Sequence, residues 1–116
     1  MITWSHNYNC ASYAVERLNE LHNLGIKIEN GNEWQASFIP HLRQWFEPIG
    51  KPVNGCLVVM KALDGGLHLG VYEDYLVAHN YKPSGGAGGL MRSDLGTIKA
   101  EFNKRVRFYG VANRKD

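Results

Sequence analysis

The chain has 116 residues, of which 44% are hydrophobic and 21% charged, as in an ordinary soluble domain. This length leaves no room for a second domain, so we expect a single domain over residues 1–116 whose core needs no disulfide or metal for stability. Thirteen Lys and Arg oppose 11 Asp and Glu, which gives a formal charge of +2 without a basic stripe. Nucleic acid is therefore not an expected partner.

The sequence carries no run of about 18 apolar residues that could cross a membrane. Its first residues also lack the charged and apolar regions of a signal peptide. We therefore expect no membrane insertion and no signal-directed export. The two cysteines, Cys10 and Cys56, are expected to be free thiols, because a domain with an adequate core does not depend on a bridge.

The first predicted element is an amphipathic helix that begins near Cys10. Apolar or small side chains recur along one face at steps of four, four and three residues: Cys10, Ala14, Leu18 and Leu21. Asn7 and Asn9 are candidate N-caps just upstream, and Gly25 is placed to end the helix. Cys10 is therefore expected in the first helical turn, facing the interior of the protein.

The middle of the chain predicts a short helix and then a strand. After a turn at Asn30-Gly31, the segment Ser37–Phe46 has helical spacing, with Pro40 in its opening turn. Gly55–Lys61 is a compact apolar run bounded by turn residues, which is typical of a strand.

The next segment predicts a β-hairpin. Leu67–Tyr72 and Tyr75–Asn80 have strand character on either side of Glu73-Asp74. A tight turn at that point places His68 directly opposite His79, on the same face of the sheet. Glu-Asp is a poor sequence for the turn that such a hairpin prefers, which leaves a shifted register open.

Gly70 is expected opposite Val77, on the face that carries the two histidines. Because Gly70 has no side chain, this position predicts open space where another element can approach. The glycine-rich segment Pro83–Gly89 predicts a mobile loop, followed by a short helix over Ser93–Phe102 and a final strand over Arg105–Val111.

These residue types at these positions indicate thiol chemistry. A cysteine at a helix N-terminus is acidified by the helix dipole, and a neighbouring imidazole lowers the pKa of the thiol further. Cys10 and His68 form such a pair if the helix packs on the His68 face, and His79 is then placed to orient the imidazole. A zinc site made of Cys10, His68 and His79 is the alternative, although these residues lack short paired ligand spacing.

With these features the sequence resembles the NlpC/P60 papain-like cysteine peptidases, and in particular the small versions found among bacteriophage tail proteins. The matching pieces follow one another along nearly the whole chain: Tyr8-Asn9-Cys10, Gly55–Val59, His68–Tyr72, Ala78-His79 and Phe108–Val111. The resemblance implies an α+β fold in which the cysteine helix packs on a small antiparallel sheet.

The resemblance also implies a function, in which Cys10 attacks a peptidoglycan stem peptide, His68 moves the proton and His79 orients His68. Tyr8 and Asn9 are the expected substrate-binding residues, and the N–H of Cys10 with a donor from Tyr8 is expected to stabilise the oxyanion. Peptidoglycan peptide and other phage tail proteins are the implied partners. The implied location is the virion, after assembly in the host cytoplasm, and neither cofactor nor metal is implied.

The sequence departs from the family pattern around the cysteine. Asn9 stands where the family usually has an acidic residue, and Ala11 and Ser12 replace the usual Ser-Gly. Cys56 replaces the aspartate that usually follows the strand-opening glycine. In the family the acid is associated with holding the free amine of the stem peptide. Asn9 and Ala11 favour the alternative of a structural tail-tip or tail-assembly protein with little or no activity.

Overall fold

A computed structural model describes residues 3–5, 8–28, 34–62, 65–82, 88–103 and 105–112. The fold is α+β, with three helices and six strands among these residues. In chain order they are α1 (Cys10–His22), α2 (Trp34–Trp45), β1 (Phe46–Ile49), β2 (Leu57–Lys61), β3 (Leu67–Glu73), β4 (Leu76–Tyr81), β5 (Gly89–Ser93), α3 (Leu95–Glu101) and β6 (Val106–Val111). No helix in the described part of the chain is long and apolar enough to cross a membrane.

The strands form one antiparallel sheet in the order β1-β6-β2-β3-β4-β5. Each face of the sheet is covered by different helices. Side chains of α1 pack with Leu57, Leu69 and Val71 on one face, and α2 contributes Phe38 to the same core. Side chains of α3 pack on the other face, where Ile98 and Phe102 contact a core that includes strand residues of β2, β4 and β6.

Helix α1 begins where the sequence predicts. The Asn9 side chain accepts hydrogen bonds from the N–H groups of Ala11 and Ser12, and the Ser12 hydroxyl accepts from the Asn9 N–H, which completes a capping box. The prediction that Gly25 ends the helix is wrong. Asn23 is the C-cap and adopts a left-handed conformation with φ of 55°, which asparagine tolerates better than most residues.

The prediction for the second helix is correct in type and wrong in its limits. Helix α2 spans Trp34–Trp45, so Pro40 lies in its interior and not in its opening turn. Strand β1 then follows without a break and was not predicted. Its Pro48 cannot donate a ladder hydrogen bond, which an edge strand tolerates because only one side of it is paired. The Asn30-Gly31 turn lies outside the described residues.

The predicted hairpin forms, with its turn one residue further along the chain. Val71 pairs with Ala78, Tyr72 with Val77 and Glu73 with Leu76, so the loop is Asp74-Tyr75. Both loop residues have positive φ, 52° and 67°, as the preferred hairpin turn requires. The predicted direct pairing of His68 with His79 is therefore wrong. Because a turn shifted by one residue moves the pairing by two, both histidines still share one face.

The last predicted elements are also displaced. Residues 83–87 of the predicted mobile loop lie outside the described residues, and Gly89 already belongs to β5, a strand that the sequence did not predict. Ser93 lies in this strand. Asp94 caps α3, which is therefore shorter than the predicted helix from Ser93 to Phe102. The final strand, β6, lies within the predicted range.

Candidate active site

The two histidines of the hairpin are in direct contact. His68 Nε2 lies 2.7 Å from His79 Nδ1, and both side chains are buried. Their ring planes are close to perpendicular, at 77°. They are diagonal neighbours on one face of the sheet and not directly opposed, yet two long side chains can reach each other across such a diagonal. The structure therefore brings these two predicted site residues together.

A hydroxyl extends the histidine pair. His79 Nε2 lies 3.2 Å from Ser93 Oγ on β5. Two assignments of protons satisfy this chain of contacts, and in one of them His68 Nε2–H donates to His79 Nδ1 while His79 Nε2–H donates to Ser93 Oγ. His68 Nδ1 then keeps its lone pair and is the nitrogen that can accept a proton from a substrate or a thiol.

Aromatic side chains enclose His68. The Phe102 ring stacks on the imidazole with centroids 5.6 Å apart, and the Tyr81 ring lies 4.9 Å away. Burial lowers the pKa of His68 to about 3, and the neighbouring His79 adds to the shift. Burial lowers the pKa of His79 to about 4. Both imidazoles are therefore neutral near pH 7.

Gly70 leaves no open space beside this pair, contrary to the prediction. A Cβ atom at this position would lie 2.7 Å from Val77 Cγ1 and 3.3 Å from His79 Cβ. Strand β4 itself therefore fills the space in front of Gly70. The glycine permits close approach between two strands and not the approach of another element.

Cys10 lies on the other face of β3, so the condition for the Cys10–His68 pair, that α1 packs on the His68 face, is not met in this structure. Alternation along β3 directs Leu69 and Val71 toward α1 and directs His68 toward Phe102 of the α3 side. In the described part of the chain, no hydrogen bond joins the Cys10 sulfur to either histidine.

The assigned backbone pairing of β3 with β4 is short and stops near Cys10, although the two strands remain close at Gly70 and His79. Pairing of these strands ends at Val71 and Ala78; beyond that point β3 continues on β2, and β4 continues on β5. Tyr72 N–H donates to the Cys56 carbonyl just before β2, so by alternation the Leu69 N–H points toward the β4 side. This N–H lowers the pKa of the Cys10 thiol, and Cys10 packs in the same cluster as Leu69, next to the backbone that carries His68.

The expectation of an acidified thiol is wrong for this structure. Burial raises the pKa of Cys10 to about 11, and it outweighs the N–H groups of Leu69, Ala11 and Cys10 itself. Cys10 and Cys56 are both free thiols, as predicted. Burial also raises the pKa of Cys56. The described site therefore contains a neutral thiol and two neutral imidazoles.

The start of α1 supplies a hydrogen-bond donor at the thiol. Two of the first three N–H groups of the helix, those of Ala11 and Ser12, donate to Asn9 Oδ1. The Cys10 N–H lowers the pKa of its own thiol. The Cys10 N–H is thus a helix donor next to the thiol, and the Asn9 side chain is buried and acts as the helix cap.

Tyr8 lies immediately before the cap, with its phenol next to Glu16. Burial and this carboxylate raise the pKa of Tyr8, so the phenol is protonated near neutral pH. The Tyr8 carbonyl accepts a hydrogen bond from the Asn80 side chain at 3.0 Å. Tyr8 thus contacts the protein through both its backbone and its side chain.

The geometry does not match the zinc alternative. Within the described ranges, no group of three or more His, Cys, Asp or Glu side chains is arranged to hold a metal ion. Two nitrogens on one tetrahedral zinc, at 2.0–2.1 Å from the metal, lie roughly 3.3 Å apart. The 2.7 Å between His68 and His79 is the distance of a hydrogen bond.

Comparison of the chain with protein-family models, with curated proteins and with solved structures finds no match.

Three residues of this region were not singled out from the sequence. Ser93 lies on a strand that was not predicted, and Phe102 contacts His68 only through tertiary packing. The sequence did offer a reason to single out Asn80, because it is a polar residue next to His79 in a largely apolar strand. A buried polar residue needs hydrogen-bond partners, so its presence in a strand predicts a specific polar contact there.

Proposed function

We propose that this protein is a thiol-dependent amidohydrolase or endopeptidase of the NlpC/P60 type, with a papain-like fold, acting on peptidoglycan stem peptides as part of a phage tail. The observation that carries the proposal is the packing of Cys10 against β3, in the same core cluster as Leu69. The Cys10 sulfur lies at the N-terminus of α1 beside the Leu69 N–H, on the strand whose His68 contacts His79 at 2.7 Å. The family resemblance of the sequence supplies the substrate and the location in the virion.

In the proposed reaction, Cys10 is the nucleophile and His68 is the general base. Because Cys10 and His68 lie on opposite faces of β3, the reaction requires substrate binding to bring His68 Nδ1 to the sulfur. The thiol proton then moves to His68 Nδ1 as the sulfur bonds to the amide carbon. The amide C–N bond then breaks, and the amine leaves with that proton. Water hydrolyses the thioester by the same proton transfers in the opposite direction. The Cys10 N–H stabilises the oxyanion, and His79 with Ser93 holds the His68 ring.

The reaction requires that substrate binding change the surroundings of the thiol. A thiol with a pKa of about 11 does not give its proton to an imidazole with a pKa of about 3. Binding of a polar peptide beside Cys10 and His68 would replace apolar neighbours of both groups with polar ones. The pKa of Cys10 would fall and that of His68 would rise, since burial is the main cause of both shifts.

Substitution of the thiol tests the proposal. Cys10→Ala and His68→Ala are expected to abolish cleavage of peptidoglycan fragments, followed by chromatography of the products. Cys56→Ala is the matched control, because it removes the chain's other buried thiol, on the opposite face of the sheet, and should keep the activity. Cleavage by Cys10→Ala at the wild-type rate would refute the proposal.

The role of Asn9 has its own test, because a carboxylate at this position would pair with a substrate ammonium. Aspartate caps helices as well as asparagine does, so Asn9→Asp should fold. We expect it to raise kcat/KM for fragments with a free amino terminus, by about tenfold for each 1.4 kcal/mol recovered, and not for N-acylated ones. An unchanged ratio would show that the amine is held elsewhere.

The second candidate is a structural tail-tip or tail-assembly protein without activity. The burial of Cys10, His68 and His79, with a neutral thiol as the result, favours it. A wild-type protein that cleaves no fragment, with Cys10 resistant to alkylation in the presence of fragments, would establish this candidate over the enzyme.

A further inference from the structure

Asn80 is a buried amide directed at the chain that leads into Cys10. The side chain is fully buried, and its Nδ2 lies 3.0 Å from the Tyr8 carbonyl and 3.3 Å from the carbonyls of Thr3 and Asn9. Carbonyl oxygens only accept hydrogen bonds, so the NH₂ group and not Oδ1 must face them. Asn80 Oδ1 has no hydrogen-bond partner among the described residues.

Asn80 and its neighbour His79 act on opposite faces of the sheet. Alternation along β4 directs His79 to the α3 side, where it contacts His68. It directs Asn80 to the α1 side, where it contacts the carbonyls of Tyr8 and Asn9, the two residues before Cys10. One dipeptide thus joins the imidazole pair to the start of the cysteine helix.

We infer that Asn80 is a positioning residue, which fixes Cys10 relative to His68 through hydrogen bonds to the backbone before the helix. This role rests on the proposed function. The apolar contacts of α1 with β3 are not directional, whereas hydrogen bonds to two successive carbonyls define where the helix begins. A displacement of about 1 Å in an active site costs about 100-fold in rate.

Loss of these hydrogen bonds should affect position more than stability. The Tyr8 carbonyl also accepts from the Ser5 N–H, and the Asn9 carbonyl also accepts from the Tyr13 N–H. Both carbonyls therefore keep a partner when the Asn80 amide is removed. This separates the inferred role from that of a residue that only fills the core.

The test compares Asn80→Ala with Val71→Ala, a truncation on the same face of the neighbouring strand that removes no hydrogen bond. The first measurement is the rate of alkylation of Cys10 relative to that of Cys56 in the same native molecule. We expect this ratio to rise at least fivefold in Asn80→Ala and to change less than twofold in Val71→Ala. An unchanged ratio in Asn80→Ala would overturn the inference, whether or not the protein is an enzyme.

The second measurement separates the effect of the amide donor from the effect of the side-chain volume. Asn80→Asp fills the same space without the amide hydrogens. We expect it to raise the alkylation ratio at pH 7 as Asn80→Ala does, and it serves as the replacement if Asn80→Ala does not fold. A wild-type ratio in Asn80→Asp would assign Asn80 to packing and overturn the inference.

The third measurement applies to cleavage of peptidoglycan fragments. We expect kcat to fall at least tenfold in Asn80→Ala, with KM within about twofold, and to stay near the wild-type value in Val71→Ala. Unaltered kcat in Asn80→Ala would overturn the inference. A raised alkylation ratio in a protein that cleaves no fragment would support the position of Cys10 while refuting the proposed function.

Discussion

The close approach of β3 and β4 at Gly70 predicts that Gly70→Ala destabilises the protein. The added Cβ would lie 2.7 Å from Val77 Cγ1, 3.1 Å from the Ala78 carbonyl oxygen and 3.3 Å from His79 Cβ. The oxygen and the Cβ belong to parts of β4 that cannot rotate away. Val77 is fully buried and branched at Cβ, so its own rotation is restricted. The strands must therefore separate to admit a methyl group.

The cost follows from two opposing effects. Overpacking of a core costs about 1–3 kcal/mol, and replacing glycine by alanine recovers about 0.4–1 kcal/mol by restricting the unfolded chain. We expect a net loss of about 1–2 kcal/mol, which lowers the Tm by about 4–8 °C for a chain of this size. Because His79 moves with β4, its contact with His68 should lengthen, and any peptidase activity should fall with it. Urea unfolding and thermal melting measure the loss of stability.

Gly25→Ala is the matched control. Gly25 is exposed, and a Cβ there would have no atom within 4 Å, so this variant should keep or slightly raise the free energy of unfolding. Combining Gly70→Ala with Val77→Ala should cost less than the sum of the two single changes, since the shortest contact disappears. A Gly70→Ala protein within about 0.5 kcal/mol of the wild type would refute the reasoning, because surface substitutions without contacts vary by that much.

Three further predictions follow from the site and the hairpin. The free energy of unfolding should fall as the pH drops from 6.5 toward 4, by up to about 1.4 kcal/mol per pH unit for each of His68 and His79, because the unfolded histidines bind protons that the folded ones exclude. Urea unfolding should show a shallower pH dependence in His79→Asn, and equal slopes would contradict this. Alkylation of Cys10 by iodoacetamide should keep accelerating up to about pH 10, since its pKa is about 11, and a plateau below pH 8.5 would be inconsistent with that burial. Tyr75→Gly should stabilise the protein by about 1 kcal/mol in thermal melts, because Tyr75 is exposed and has a φ of 67°; a lower Tm would argue against this turn.

The sequence alone predicted the local features of the site. The cap at Asn9, the helix that starts at Cys10 and the shared face of His68 and His79 depend on short-range patterns. The shared face was predictable even though the register was wrong, because side chains in a strand alternate with a period of two. A shift of the turn to Asp74-Tyr75 therefore changed the partners of both histidines and not their side of the sheet.

The sequence did not predict which face of β3 the cysteine helix covers. Leu69 and Val71 offer an apolar surface on one side, while His68, Gly70 and Tyr72 form the other side, and local periodicity does not rank the two. The choice depends on tertiary packing of α1 and α3. Strand β5 was not predicted for a related reason. Its residues form a strand because they pair with β4, and their own composition does not indicate a strand.

The order of the strands has a consequence for the timing of synthesis. The partner of Tyr8 at the start of α1 lies 72 residues further along the chain, and β6, which joins β1 to β2, is the last strand. At about 5–20 residues per second, a nascent chain needs several seconds to add that many residues. During this interval Cys10 lacks the strands that bury it, and its thiol is open to oxidation or to a non-native bridge with Cys56. Oxidation or mispairing of Cys10 is therefore a risk for the growing chain, and this risk ends when β4 docks.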